Sequence, residues 1–427
     1  MSSLYCEEVR LNRLKVRFKD ASLPDIKREV ASQMELFRNA AVGARVAVTV
    51  GSRGISNIAV IIREVCNALK SFGADPFIVP AMGSHGGATA EGQSGMLAEY
   101  GITEKTMGVP VISSMEVESL GALPGVESLP LYIDKNAFGA DAIFVVNRVK
   151  AHTDFHGENE SGIAKMLSIG LGKHAQALVT HSYLVDGLRT FIPRIAESIV
   201  ATGKILGALA IVEDGYDHTS ILRAVMPEDI VRLDAELLKI SKSMMPALPF
   251  NEIQLLMVDW LGKNISGTGM DTNIIGRVGI RGEPDGIPKI NTICVFDITP
   301  ESHGNALGIG LTDLVPKSLV DKVDWKATYE NVCTSRFLCR GAIPVTMPTD
   351  RDVVNTALFA CGCESIEKLK MVRIRDTLHI DEIYATEAML EDLRGDFSVE
   401  VVERGIPLEF ETDGTIRKLS SMQDQTE

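Results

Sequence analysis

No apolar run in this 427-residue chain reaches the roughly 18 residues that a membrane-spanning helix needs. The most apolar stretch, residues 205–212, has the length of a core strand. The N-terminus lacks a basic segment followed by an apolar block: Glu7 and Glu8 come early and no long apolar run follows. The expected compartment is the cytoplasm, with no membrane partner. Positive charge is also scarce. Lys and Arg number 43 against 57 Asp and Glu, a formal net charge of −14, which argues against a nucleic-acid partner and its required basic face. An anionic substrate stays open, because a local positive cleft can sit inside an acidic surface. The seven cysteines are odd in number, and with no export signal they do not suggest a disulfide framework. Cys361 and Cys363 form a C-x-C pair with no matching second pair, which argues against a zinc ribbon. A P-loop is missing. Residues 83–87 carry His85 where a nucleophile elbow carries Ser. The run Gly170-Leu-Gly-Lys-His-Ala is a truncated dinucleotide pattern, and Asp186 lies too near to be its acidic partner.

The length exceeds one ordinary core and implies two domains of roughly 150–250 residues each. One pattern recurs: a β-branched run, a glycine-rich polar loop, then a helical stretch. Residues 45–50 lead into Gly51-Ser-Arg-Gly54. A helix is expected next, capped by Ser56, with Ile58, Ile61, Ile62, Val65 and Leu69 on one face and Gly73 ending it. Residues 77–79 lead into Met82-Gly-Ser-His-Gly-Gly-Ala-Thr89. Residues 142–146 and 208–212 lead into further polar loops. Strands alternating with helices imply βαβ units and a mostly parallel sheet. Pro246 and Pro249 mark a linker, and a second α/β unit begins near Ile253. The expected division is an N-terminal α/β domain over 1–245, a second α/β domain over 252–395, and a tail over 396–427. The tail reads as antiparallel strands with an Asp413-Gly414 turn, returning to the first domain.

Residues 147–174 hold three of the eight histidines, with three lysines, an arginine and three acidic groups. They follow directly on a core strand. Open parallel sheets bind ligands outside the carboxyl ends of their strands, so this segment is the first candidate site. Successive strand ends present Arg53, His85 and His152. Histidine suits general acid/base work at neutral pH, with an unperturbed pKa of about 6.5. Two histidines on opposite sides of a carbon suit a reaction that runs in both stereochemical directions. Arg53 suits a carboxylate, which it can grip with two parallel hydrogen bonds. Each residue also has a plain structural reading: a surface arginine, a turn-holding histidine, a histidine donating to a carbonyl. His152 and His156 have the spacing of a metal pair on a helix, but Gly157 and Asn159 disfavour a helix there. Lys165, in Ser161-Gly-Ile-Ala-Lys-Met-Leu, reads either as an amphipathic stem with an exposed head or as a buried reactive amine.

Together, Gly51-Ser-Arg-Gly, Met82-Gly-Ser-His-Gly-Gly-Ala-Thr and the segment from Lys150-Ala-His through Lys165 to His174 resemble the nickel-dependent lactate racemase family. The resemblance covers the first domain and thins to Gly269-Met-Asp-Thr-Asn in the second. It implies two α/β domains with an active-site cleft between them. It also implies racemisation or epimerisation of a small 2-hydroxy acid through a nickel-pincer nucleotide (pyridinium-3-thioamide-5-thiocarboxylic acid mononucleotide with nickel). By resemblance, Lys165 carries the cofactor through a thioamide, with Ser161 and Gly162 beside it. His174 is the protein ligand of nickel, His85 and His152 are the acid/base pair, and Arg53 binds substrate. Asp271 and Asn273 are the implied substrate-side residues of the second domain. Where the family has Gln and Lys facing substrate, this chain reads Ile274-Ile-Gly-Arg-Val-Gly. Lys263, His303 and Arg277 are candidates to replace those contacts, or else are solvated surface groups. The resemblance therefore leaves the particular 2-hydroxy acid open, as it does the oligomeric state. Two other readings stand beside it: a non-catalytic nickel- or nucleotide-binding protein, and a metal-dependent hydrolase using His152 and His156.

Overall fold

The computed structural model describes residues 5–52 and 54–419. Its strands are β1 (Arg10–Arg17), β2 (Arg45–Val50), β3 (Asp75–Pro80), β4 (Val117–Leu123), β5 (Val126–Asp134), β6 (Ala142–Arg148), β7 (Ile205–Glu213) and β8 (Thr219–Val225). They continue with β9 (Glu252–Leu261), β10 (Lys289–Ile298), β11 (Leu314–Pro316), β12 (Val345–Met347), β13 (Met371–Ile374), β14 (Glu382–Ala385) and β15 (Ser398–Pro407). Two compact units result. One is Lys19–Met245; the other joins the described residues up to Phe18 with those from Pro246 on.

In the Lys19–Met245 unit a five-stranded sheet runs β3-β2-β6-β7-β8. β3, β2, β6 and β7 are parallel and β8 is antiparallel. The last five residues of β2 are all buried, as expected of a parallel strand covered on both faces. Val46, Val48 and Val50 pack with Ile61, Ile62 and Val65 of the helix Ile58–Ser71, together with Phe144, Val146, Leu209 and Ile211. That helix matches the 3.6-residue spacing of its apolar positions. Its cap differs from expectation: Asn57, in the left-handed region, holds the N-cap position. Ser56 instead gives its backbone N–H to Glu213 Oε1 at 2.6 Å.

The other unit holds an eight-stranded sheet in the order β12-β11-β10-β9-β13-β14-β1-β15. The run from β12 to β13 is parallel, and the remaining pairs are antiparallel. This corrects the placement of the tail. β15 pairs with the N-terminal strand β1, and β1 lies in this second unit, not the first. The cause is burial: Leu14 and Val16 enter the core formed by Leu256, Val258 and Val295. The Asp413-Gly414 turn forms as expected, with Phe410 bridged to Ile416 and Gly414 at φ +87°. No helix among the described residues is long and apolar enough to cross a membrane.

Candidate active site

Parallel pairing puts the carboxyl ends of β3, β2, β6 and β7 along one edge. The loops leaving these ends close on one short element. The helix Ile163–Lys165 continues into a π-helical turn, Met166–Gly170, a geometry frequent at functional sites. After β2, Gly51 lies so near Met166 that a β-carbon there would approach Met166 Cε to 2.9 Å. After β3, the Gly83 N–H donates to Gly170 O at 3.3 Å. From β6, Asn147 Nδ2 donates to Gly162 O at 2.8 Å. The element that bears Lys165 is thus wedged against three strand ends.

Its N-terminus is fixed by Asp234 of the helix Ile230–Met244. Asp234 is buried. Its Oδ1 accepts the Ile163 N–H at 2.6 Å and its Oδ2 accepts Asn159 Nδ2 at 3.0 Å. Burial pushes this carboxyl up to about 6, against the opposing pull of Asn159 and the Ile163 and Ala164 amides. Gly162, expected beside the cofactor, has its Cβ direction filled by that carboxylate. Its glycine identity is explained by this close approach. Ser161 is half-buried and pairs backbone to backbone with Lys150, at 2.7 and 3.2 Å, closing the loop that carries His152.

Within that loop His152 is held on every side. Its N–H donates to Glu160 Oε2 at 2.7 Å, and its Nδ1 accepts the Asp154 N–H at 3.0 Å. Its ring packs on Phe155 with centroids 4.7 Å apart. Its Nε2 lies 2.6 Å from Lys165 Nζ. Glu160 is the hub beneath it. Burial alone would raise this carboxyl, but hydrogen bonds from His156, Lys242 and the His152 backbone outweigh burial and hold it below the usual carboxylate range. Lys242 Nζ is 2.6 Å from its Oε1. His156 Nδ1 is 3.4 Å from the same oxygen, so His156 faces Glu160 while His152 faces Lys165. A shared metal between the two imidazoles finds no support. Among the described residues the one trio of donors with metal-like spacing is Asp20, Asp214 and His218, where Asp214 already accepts backbone N–H groups from Ala21, Tyr216 and His218.

His85 is exposed on the loop after β3, and its Nδ1 is in hydrogen-bond contact with Ser52 Oγ from the loop after β2. Below it lies a network that sequence reasoning missed. Lys173 is fully buried and donates to Pro80 O and to Gln93 Oε1, the latter at 3.2 Å. Gln93 Nε2 in turn donates to Gly83 O at 3.0 Å and His85 O at 3.2 Å. Lys173 Nζ pairs with buried Asp134 Oδ2 at 3.1 Å. Burial lowers the Lys173 ammonium and Asp134 opposes the shift. The signal in the sequence was slight, a lysine following Gly170 and Gly172; the structure holds it at φ +56°. Next to it, His174 lies in the first turn of the helix Lys173–His181. Its Nδ1 is buried without a hydrogen-bond partner among the described residues.

Arg53 lies outside the described residues. In the second unit, Asp271 Oδ1 accepts both the N–H and Nδ2 of Asn273, each at 2.9 Å, as the cap of the helix Thr272–Ile275. Lys263 Nζ donates to Gly267 O at 2.7 Å. His303 is exposed with φ +47°. Arg277 spends its guanidinium on Asp313 and on the carbonyls of Leu311, Ile290 and Asn291, a structural clamp.

No protein-family model matches the chain, and no curated protein does. Among solved structures, the lactate racemase apoprotein of Thermoanaerobacterium thermosaccharolyticum is similar, with a TM-score of 0.53 and 16% identity over 85% of this chain and 93% of that one. A structural-genomics protein of Thermotoga maritima gives a TM-score of 0.49 and 13% identity over 76% of this chain and 84% of its own. At such identities the likeness to the racemase apoprotein is one of fold: two α/β domains with parallel-rich sheets.

Proposed function

We propose that the chain is a racemase or epimerase of a small 2-hydroxy acid that works with a nickel-pincer nucleotide held on Lys165. The observation that carries this reading is the 2.6 Å approach of Lys165 Nζ to His152 Nε2 at the carboxyl edge of a parallel sheet. The fold, similar to that of a lactate racemase apoprotein, supports it. The residues present fit the group. Lys165 offers a half-buried amine on a helix fixed by Asp234, and His174 offers a nitrogen that is buried without a hydrogen-bond partner among the described residues. When bound, the nucleotide would supply an acceptor for the hydrogen on C2 of the substrate. The protein's own part is proton handling and orientation. His152 and His85, on strand ends that flank the end of β2, each hold or release the proton of the substrate hydroxyl, one for each enantiomer. Glu160 and Asp154 orient the His152 ring through its own and the following backbone. Arg53 would grip the carboxylate.

The test is optical. Protein produced together with enzymes that make the nucleotide is given single enantiomers from a panel of chiral 2-hydroxy acids. Rotation of at least one should decay towards the equilibrium mixture. Constant rotation for every acid, with Lys165 carrying its group, would overturn the proposal in favour of a non-catalytic binding role.

A further inference from the structure

We propose that Arg148 binds an oxyanion, a carboxylate or a phosphate, of the molecule that occupies this edge of the first sheet. The residue ends β6, the strand that leads to His152. Its Nη1 donates to Glu213 Oε2 at the end of neighbouring β7. Among the described residues its guanidinium has no other hydrogen-bond partner. Glu213 is buried, and its Oε1 already accepts the Ser56 N–H at 2.6 Å, so the pair is fixed in place. The edge of the guanidinium away from Nη1, with Nε–H and an Nη2–H side by side, stays unused. That edge is the fork that matches two oxygens of a carboxylate or phosphate. The side chain is 16% exposed, so a small ligand can reach it.

A purely structural clamp looks different in this chain. Arg373 sets Nε and Nη2 together on buried Asp259, at 2.9 and 3.0 Å, and adds Arg417 O. The ends of β6 and β7 also need no staple. Their ladder already pairs Arg148 with Ile211 and continues with the Val149 N–H on Ile211 O at 2.8 Å. Glu213 offsets the charge of the guanidinium, so recognition rests on the paired N–H groups more than on net charge. This deepens the proposed function, on which it rests for the identity of the molecule: the anion is the carboxylate of the hydroxy acid or the phosphate of the nucleotide.

The experiment uses the unloaded full-length chain without turnover, so failure of racemisation and failure of this inference are told apart. Chain labelled with nitrogen-15 in arginine is titrated with inorganic phosphate and, separately, with acetate. The Nε–H resonance of Arg148, assigned as the one missing from Arg148→Lys, should shift and saturate. Saturation at lower concentration with phosphate assigns the nucleotide as the source of the anion; saturation at lower concentration with acetate assigns the substrate. Arg148→Lys keeps a positive charge beside Glu213 and loses the fork. Calorimetric titration of that variant with the tighter probe should show affinity weakened about tenfold, the loss of one charge-assisted hydrogen bond. A purely structural arginine predicts no such loss. An Nε–H resonance that neither probe moves, or an affinity unchanged in Arg148→Lys, overturns the proposal.

Discussion

The backbone of Gly162 runs so close to Asp234 that a β-carbon at position 162 would fall within the Oδ1 atom. The same Oδ1 accepts the first amide of the helix that carries Lys165. The glycine and the buried acid are thus one device. Gly162→Ala should force the carboxylate away and cost about 1–3 kcal/mol of stability, the usual penalty of overpacking. Urea unfolding of the variant measures it; an unchanged midpoint would show that the helix start relaxes freely.

The acid also gives a pH signature. Burial raises the Asp234 carboxyl from an ordinary value of 3.8 to about 6. A folded-state value above the unfolded one stabilises the fold on the acid side. The contribution is complete below the unfolded value and is lost as pH rises through about 6. Relative to Asp234→Asn, the natural protein should therefore gain stability from about pH 7.5 to about pH 5, by up to about 3 kcal/mol over the full window. Paired denaturation curves at the two pH values test this. A difference that is flat, or that runs the other way, contradicts it.

Lys173 and Asp134 form a charge pair in which both side chains are fully buried. Lys173→Met should leave the Asp134 carboxylate buried and uncompensated, at a cost of about 3–5 kcal/mol. Adding Asp134→Asn should recover much of it. Thermal unfolding of the two variants decides, and a harmless Lys173→Met would contradict this.

For the chemistry, His85→Ala and His152→Ala should each slow turnover of the loaded protein by about 10²–10⁴-fold with folding intact. His156→Ala should act only indirectly, through Glu160. Full activity in either of the first two variants removes that histidine from the acid/base role.

The strands that frame the site were legible because each is a β-branched run ending in a glycine loop. Residues 45–50, 77–79, 142–146 and 208–212 all fall inside observed strands. His152 stood out because it follows a core strand in a polar segment, whereas Lys165, in the mostly apolar run Ser161-Gly-Ile-Ala-Lys-Met-Leu, entered as a candidate through the family resemblance. What fixes them was not legible. Asp234 sits far along the chain on a helix whose pattern reads as ordinary amphipathic surface and core. Asp134 and Lys173 likewise meet only in space. The tail's partner was misread because alternation in a strand marks its buried face and says nothing of which strand lies beside it. Asp271 and Arg277, named as substrate-side candidates, have side chains engaged in a helix cap and a loop clamp, contacts that no local pattern announces.

The proposed chemistry depends on Lys165 as the tether. Mass spectrometry of the peptide containing Lys165, from protein produced beside the nucleotide's biosynthetic enzymes, tests it most directly. A covalent adduct on that lysine, accompanied by nickel, is expected, and none in Lys165→Ala. An unmodified Lys165 peptide in protein that racemises a hydroxy acid would contradict it.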